Sequence, residues 1–325
     1  MTTRIVVTTH LPGDPIGLLR GHPAGRDAEI VQFDRRRAPD REELLELVRG
    51  ADAVLSHIPD RIDEEVMEAA GPGLKVIANY GVGFNNIDVD AARRRGVVVT
   101  NTPDVLTEAT ADVAWLLILA AARGATTAGR DLREGRWTGW HPTQYVGRDL
   151  AGRTLLVIGM GRIGTAVARR ATGWDMRILY CSRSPRPEAE APPIGAERIG
   201  LEAGLAAADV VSLHCPLTPE TTHLIDADRL GLMKREAILV NTARGPVVDE
   251  AALVDALERG VIHAAGLDVF EREPAVHPGL LSHPRVEVLP HVGSGTESTR
   301  EAMTGIAVRN LLSVLAGETP SDRVD

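Results

Sequence analysis

Thr154-Leu155-Leu156-Val157-Ile158-Gly159-Met160-Gly161-Arg162-Ile163-Gly164 is the stretch that decides the fold. The apolar run ending at Ile158 reads as a buried strand, and 162–172 reads as the helix that follows it. Gly159, Gly161 and Gly164 between them make G-x-G-x-x-G in the strand–turn–helix setting that a dinucleotide fingerprint requires. Lacking side chains, they let the backbone turn tightly, let it approach a pyrophosphate, and let helix and strand pack closely. A glycine-rich turn without a ligand is the plainer alternative, and the flanking strand and helix argue against it.

The next strand, 177–180, leads into Cys181-Ser182-Arg183-Ser184-Pro185-Arg186. About 20 residues beyond the glycines, an acidic side chain would hold the ribose hydroxyls of NAD. None stands there, and Asp175, which precedes the strand, reads as a turn residue. Ser182, Arg183 and Arg186 occupy the place instead. Arginine binds a 2′-phosphate through charge-assisted hydrogen bonds where a carboxylate would repel it. The expectation is NADP(H) in preference, with NAD(H) as the alternative; solvated loop arginines are the competing reading.

Outward from this motif, short β-branched runs alternate with alanine- and leucine-rich stretches. Segments 4–8, 29–33, 53–56, 75–78 and 97–100 form one series of strands; 154–158, 177–180, 209–213, 237–240, 264–267 and 286–289 form a second. The pattern predicts an α/β protein of two doubly wound parallel-sheet domains, for which 325 residues is a comfortable length. Between the series lie a long helix over 104–123 and an arm over 130–147, rich in Gly, Trp and Pro, with little core character. The periodic segment 297–315 has no strand after it and is expected to pack back on the first domain.

A net charge of -9 without clustered basic residues argues against nucleic acid and anionic membrane as partners. The longest apolar run, 113–122, falls short of the ~20 residues of a membrane span. Cys181 and Cys215 are too few for a disulfide framework and are not spaced as metal ligands, so no metal is expected. With no signal-like run at the N-terminus, a cytoplasmic location is expected. Lys75 and Lys234, the only lysines, sit in no constellation that would activate an amine.

Ligands of open α/β sheets collect outside the carboxyl ends of the strands, so polar residues just after strands are the first candidates. Arg244, Glu273 and His291 each follow a strand of the second series. Reduction of a 2-oxo acid needs a cation for the carboxylate and carbonyl oxygen, an acid for the developing alkoxide, and a partner for that acid. Arginine, histidine and glutamate supply these, a carboxylate beside an imidazole favouring its protonated form. Taken singly, each has a duller reading: a cap cation, a surface carboxylate, a core histidine.

Further marks run through the chain: Gly81-Val82-Gly83-Phe84-Asn85-Asn86-Ile87-Asp88, Asn101-Thr102-Pro103-Asp104-Val105-Leu106, Asn241-Thr242-Ala243-Arg244-Gly245, Gly266-Leu267-Asp268-Val269-Phe270 with Glu273-Pro274, and Pro290-His291-Val292-Gly293. In order and spacing the chain resembles, over nearly its whole length, the D-isomer-specific 2-hydroxyacid dehydrogenases, and among them the glyoxylate/hydroxypyruvate reductases. The resemblance implies that Arg244 binds substrate, His291 is the acid/base and Glu273 orients it. It implies substrate-carboxylate binding by the amides of Val82 and Gly83 and a nicotinamide carboxamide contact at Asp268; His57, just after the strand ending Leu55-Ser56, is read from its position as lining the substrate pocket. Beside Gly159, Gly161, Arg162, Ile163 and Gly164, the resemblance implies cofactor contacts at Thr107, Cys215, Pro216, Thr242, Ala243, His291 and Gly293.

The resemblance also implies a Rossmann dinucleotide-binding domain, 103–290, inserted into a flavodoxin-like substrate domain, 1–102 and 291–325. Crossings would then fall at 101–103 and 289–291, with the substrate in a cleft that closes between the domains. The arm, about 123–147 with Trp137, Trp140 and His141, resembles a dimerisation segment, so a homodimer is expected. Two other readings stay open: a phosphonate dehydrogenase, which would carry a lysine where Val82 stands, and a dinucleotide-sensing, corepressor-like protein that binds NADPH without turnover.

Overall fold

Within the two sheets of the computed structural model, which describes residues 2–324, every strand pairing is parallel. The first sheet holds β1 (Arg4–Val7), β2 (Glu29–Gln32), β3 (Ala53–His57), β4 (Val76–Tyr80) and β5 (Val98–Thr100), in the order β2-β1-β3-β4-β5. The second holds β6 (Thr154–Ile158), β7 (Arg177–Cys181), β8 (Glu197–Arg198), β9 (Val210–Leu213), β10 (Ile238–Asn241), β11 (Ala264–Leu267) and β12 (Val286–Val288), in the order β12-β11-β10-β9-β6-β7-β8. These are the flavodoxin-like and the dinucleotide-binding doubly wound orders, the second extended by one strand.

Continuous apolar runs are what a sheet covered on both faces demands. In β6, Leu155 and Val157 enter one apolar cluster while Leu156 and Ile158 enter another, as the two-residue period of a strand dictates. Helix Thr107–Arg123 and helix Arg162–Ala171 cover the first face, joined where the Trp115 indole N–H donates to the Val167 carbonyl at 3.1 Å. Trp115 also stacks on Trp174 with ring centroids 5.8 Å apart. Among the described residues no single helix is long and apolar enough to cross a membrane.

The chain divides into two compact units, Met1–Leu106 with Ser294–Asp325, and Thr107–Gly293. It crosses after Leu106 and after Gly293, later than the crossings expected at 101–103 and 289–291. Local bonds explain the delay: Asn101 N–H donates to the Asp322 carbonyl and Thr102 N–H to that of Gly81, whereas Val292 and Gly293 stay bound to Asp268. Helix Glu297–Leu315 packs on the first sheet, where Tyr80 Oη donates to the Arg300 carbonyl at 3.0 Å.

Three local expectations need correction. The long helix begins at Thr107 and not at 104, because Asp104 adopts a left-handed φ of 69°. The arm expected over 130–147 starts as helix, Ala125–Arg133, anchored where Glu287 accepts the Thr126 N–H. The edge strand β8 was not anticipated: it is two residues long and both are exposed, so it carries no alternating pattern.

Candidate active site

Each glycine of the motif meets a different constraint. Gly159 has φ 96°, and a Cβ on it would lie 2.5 Å from the Cys215 nitrogen, because the ends of β6 and β9 meet there. A Cβ on Gly164 would strike the Gly159 carbonyl oxygen at 2.2 Å. One on Gly161 would meet no protein atom within 4 Å. Gly161 is also the N-cap of helix Arg162–Ala171 and gives it no side-chain hydrogen bond. A helix start with uncapped amides, open space above one glycine, and a position where the strand order reverses fit a dinucleotide pyrophosphate.

At the end of β7, Ser182 donates its hydroxyl to the Ser184 carbonyl at 2.6 Å. Arg183 is exposed; Arg186 is half-buried, with its Nε lacking a partner. Arg198, on β8, donates to the carbonyls of Ser182 and Arg183, both at 3.0 Å. It adds a third guanidinium to this loop, one that the sequence reading missed. The thiols nearby are poor nucleophiles: burial pushes Cys215 up to about 11 and Cys181 upward as well.

The three candidate catalytic residues all lie in the second unit, on loops after β10, β11 and β12. Asn241 closes the first loop, its Nδ2 donating to the Arg244 carbonyl and its Oδ1 accepting the Ala243 N–H, both at 2.9 Å. Burial lowers the Arg244 pKa, against the charge of Glu273, which raises it. Glu273 accepts the Phe270 N–H at 2.9 Å on Oε1 and the His291 Nδ1–H at 2.8 Å on Oε2. Burial pushes the Glu273 carboxyl up, but the His291 hydrogen bond and charge, the Phe270 amide and Arg244 outweigh it and hold it low.

His291 has a left-handed φ of 54°, and Asp268 secures that loop. The Asp268 carbonyl accepts the His291 N–H at 2.8 Å; its Oδ1 accepts from Val292 at 2.7 Å and its Oδ2 from Gly293 at 2.8 Å. Thr110, on helix Thr107–Arg123, closes on Gly293 from the other side. Both Asp268 oxygens thus serve the histidine loop, a task the sequence reading had not assigned to it. His214, after β9, pairs its Nε2 with the Ser212 hydroxyl at 2.7 Å, and burial pushes its imidazole down to about 3.

In the first unit, the loop after β4 is braced from below. Asn79 Nδ2 donates to the Gly83 carbonyl at 2.8 Å, and Asn101 Nδ2 to that of Val82 at 2.8 Å. The carbonyls of 82 and 83 are thereby held in place. His57 ends β3 in register with Tyr80 of β4, on the neighbouring strand. Among the described residues, no group of three His, Cys, Asp or Glu side chains is placed to hold a metal.

Comparison with known proteins adds to this geometry. Residues 115–293 match the family model described as D-isomer specific 2-hydroxyacid dehydrogenase, NAD binding domain. The glyoxylate reductase of Thermococcus onnurineus is 47% identical over 100% of this chain and 96% of its own length. The chain belongs to the D-isomer specific 2-hydroxyacid dehydrogenase family. Another similar relative is the glyoxylate reductase of Pyrococcus furiosus, 46% identical over 100% of this chain and 96% of that protein. Among solved structures, the TT0316 protein from Thermus thermophilus matches with TM-score 0.90 and 47% identity, covering 99% of this chain and 100% of that one. An NADPH-dependent glyoxylate/hydroxypyruvate reductase from Sinorhizobium meliloti, in complex with NADP and malonate, matches with TM-score 0.84 and 35% identity over 100% and 97%.

This dehydrogenase is accordingly an NAD(P)-dependent oxidoreductase that binds a nicotinamide dinucleotide. Its fold places Gly159, Gly161, Arg162, Ile163, Gly164, Ser182, Arg183, Arg186, Cys215 and Pro216 at the ends of β6, β7 and β9. Thr242, Ala243, Arg244, Asp268, Glu273, His291 and Gly293 follow β10, β11 and β12, with Thr107 opening its helix. Val82, Gly83 and His57 stand in the other unit of the dehydrogenase.

Proposed function

We propose that this dehydrogenase reduces glyoxylate or hydroxypyruvate to the D-2-hydroxy acid with NADPH, and that His291 delivers the proton. The observation that carries the reading is the His291–Glu273 hydrogen bond at 2.8 Å, on a unit that also presents Arg244. An ionised carboxylate can only accept, so Nδ1 is the donor and Nε2 is left to exchange a proton with substrate. When bound, the nicotinamide supplies the hydride. Arg244 binds the substrate carboxylate and polarises its carbonyl, and the backbone amides of Val82 and Gly83 are proposed carboxylate donors. Glu273 fixes the imidazole, and Asp268 fixes the loop that carries it.

The choice of acid is supported by the relatives that carry the name glyoxylate reductase. NADPH is supported by Arg183, Arg186 and Arg198, with no Asp or Glu within 182–186 itself, and by the solved relative that holds NADP. Trp137 and Trp140, 47% and 82% exposed on the arm, are proposed to pack against a second copy of the chain; a monomeric mass by sedimentation would remove that assignment. The main test is loss of reduced-nicotinamide absorbance with NADPH, then NADH, against glyoxylate, hydroxypyruvate, pyruvate and phenylpyruvate. Rapid NADPH oxidation with the first two is expected, and silence with NADPH still bound would favour a dinucleotide sensor.

A further inference from the structure

The strand order of the first sheet reverses between β1 and β3, the place where an open α/β sheet leaves a crevice for ligands beyond its strand ends. Thr8 follows β1 there, His57 ends β3, and Asp60 closes the turn that comes next. Thr8 and Asp60 are buried, while the His57 side chain keeps 16% of its surface open. Asp60 Oδ2 accepts the Thr8 hydroxyl, the His57 N–H at 2.9 Å and the His57 Nδ1–H at 2.8 Å. Three donors therefore converge on one carboxylate oxygen and fix the imidazole ring in place. The Asp60 hold on Nδ1 leaves Nε2, the outer nitrogen, with no hydrogen-bond partner among the described residues.

This dyad abuts the loop proposed to bind the substrate carboxylate. Ile58 packs so closely on Gly81 that a Cβ there would lie 2.9 Å from Ile58 Cγ1. Asn86 Nδ2 donates to the Asp60 carbonyl at 3.0 Å and to Asn79 Oδ1 at 3.3 Å, and Asn79 in turn holds the Gly83 carbonyl. The imidazole and the 81–83 loop are therefore parts of one braced platform.

We infer that His57, fixed by Asp60 and Thr8, forms a subsite for a hydroxyl group on C3 of the 2-oxo acid, and so selects hydroxypyruvate-like substrates. The inference rests on the reading of this chain as a reductase of small 2-oxo acids. The imidazole is paired with a carboxylate at 2.8 Å, so the site offers no isolated cation and a second substrate carboxylate finds no partner there. A hydroxyl is served in either state of the ring: Nε2 accepts from it when neutral and donates to it when protonated. A 3-methyl or 3-hydrogen substituent leaves Nε2 without its bond.

The test is kcat/KM for hydroxypyruvate, pyruvate and oxaloacetate with NADPH, on the full wild-type chain and on His57→Leu and Asp60→Asn. Wild type should prefer hydroxypyruvate to pyruvate by roughly tenfold, the scale of one neutral hydrogen bond. His57→Leu should bring that ratio near one, and Asp60→Asn should move it the same way by freeing Nδ1. A ratio unchanged in His57→Leu overturns the subsite, as does oxaloacetate outrunning hydroxypyruvate in wild type. Should the variants not fold, the wild-type ratio at acidic and at alkaline pH decides, since a value near one at either overturns the inference. Wild-type silence toward every acid overturns the reductase reading and the subsite with it, whereas turnover with an unchanged ratio overturns the subsite alone.

Discussion

Nδ1 of His291 stands 2.8 Å from Oε2 of Glu273, and the other Glu273 oxygen is occupied by the Phe270 amide. Neither carboxylate oxygen is idle, so Glu273 is a fixed support and the proton traffic falls to the imidazole. His291→Gln keeps polar bulk but cannot deliver a proton. Turnover should fall by roughly 100-fold or more, the lower range for loss of a general acid. NADPH affinity, followed by quenching of its fluorescence, should be retained; equal activity would remove His291 from the chemistry.

The same pair predicts an acid-side effect. Glu273 titrates below its unfolded range because His291, the Phe270 amide and Arg244 outweigh the opposing effect of burial. A depressed carboxylate pKa contributes stability above the unfolded value, and that contribution is lost as pH falls through the folded value. His291→Gln removes the largest of the lowering causes, so the Glu273 carboxyl should titrate at higher pH. Carbon-13 carboxyl titration of wild type and variant would show it, and coincident curves would mean the hydrogen bond does not persist in solution.

Cofactor choice should respond to the 182–186 loop. Arg183→Ala should raise KM for NADPH roughly tenfold, within the range of one charged hydrogen bond, and change KM for NADH far less. Arg198→Leu should do the same by a different route, because the Ser182 and Arg183 carbonyls lose their shared donor. Parallel losses with both cofactors would make these arginines bystanders.

The glycines of the motif should separate folding from binding. Gly164→Ala places a methyl 2.2 Å from the Gly159 carbonyl oxygen and should cost about 1–3 kcal/mol, seen as a lower Tm. Gly161→Ala meets no protein atom within 4 Å, so Tm should hold while dinucleotide affinity falls. The opposite pattern would exclude the pyrophosphate from the space above Gly161.

Much of this was legible because it is periodic or punctuated. The run 154–164 carries strand, turn and helix in one line, and Arg244, Glu273 and His291 stand directly after apolar strands. What escaped depends on pairing between distant segments. His57 was expected at the pocket, but Asp60 looks like an ordinary turn residue until Thr8, from another strand, closes on it. Arg198 gains meaning only when β8 pairs with β7 and brings it to the 182–183 carbonyls. The late helix start at Thr107 follows from a left-handed Asp104, a backbone state that residue identity alone does not announce.

His214 offers a test of the turn against which Gly159 packs. The residue keeps partial surface exposure, but its imidazole lies between the Ser212 hydroxyl and Thr242 Oγ1, and burial takes it down to about 3. An unfolded chain protonates a histidine near 6.5. Below that pH the unfolded state binds a proton that the folded state refuses, so stability falls as pH falls, by at most about 1.4 kcal/mol per unit. His214→Gln removes this titration. Between neutral pH and the onset of acid unfolding, the urea-derived stability of the second unit should fall more gently in His214→Gln than in wild type. Indistinguishable slopes would mean that the imidazole takes up its proton without leaving the fold, and that the β6–β9 turn is open to water.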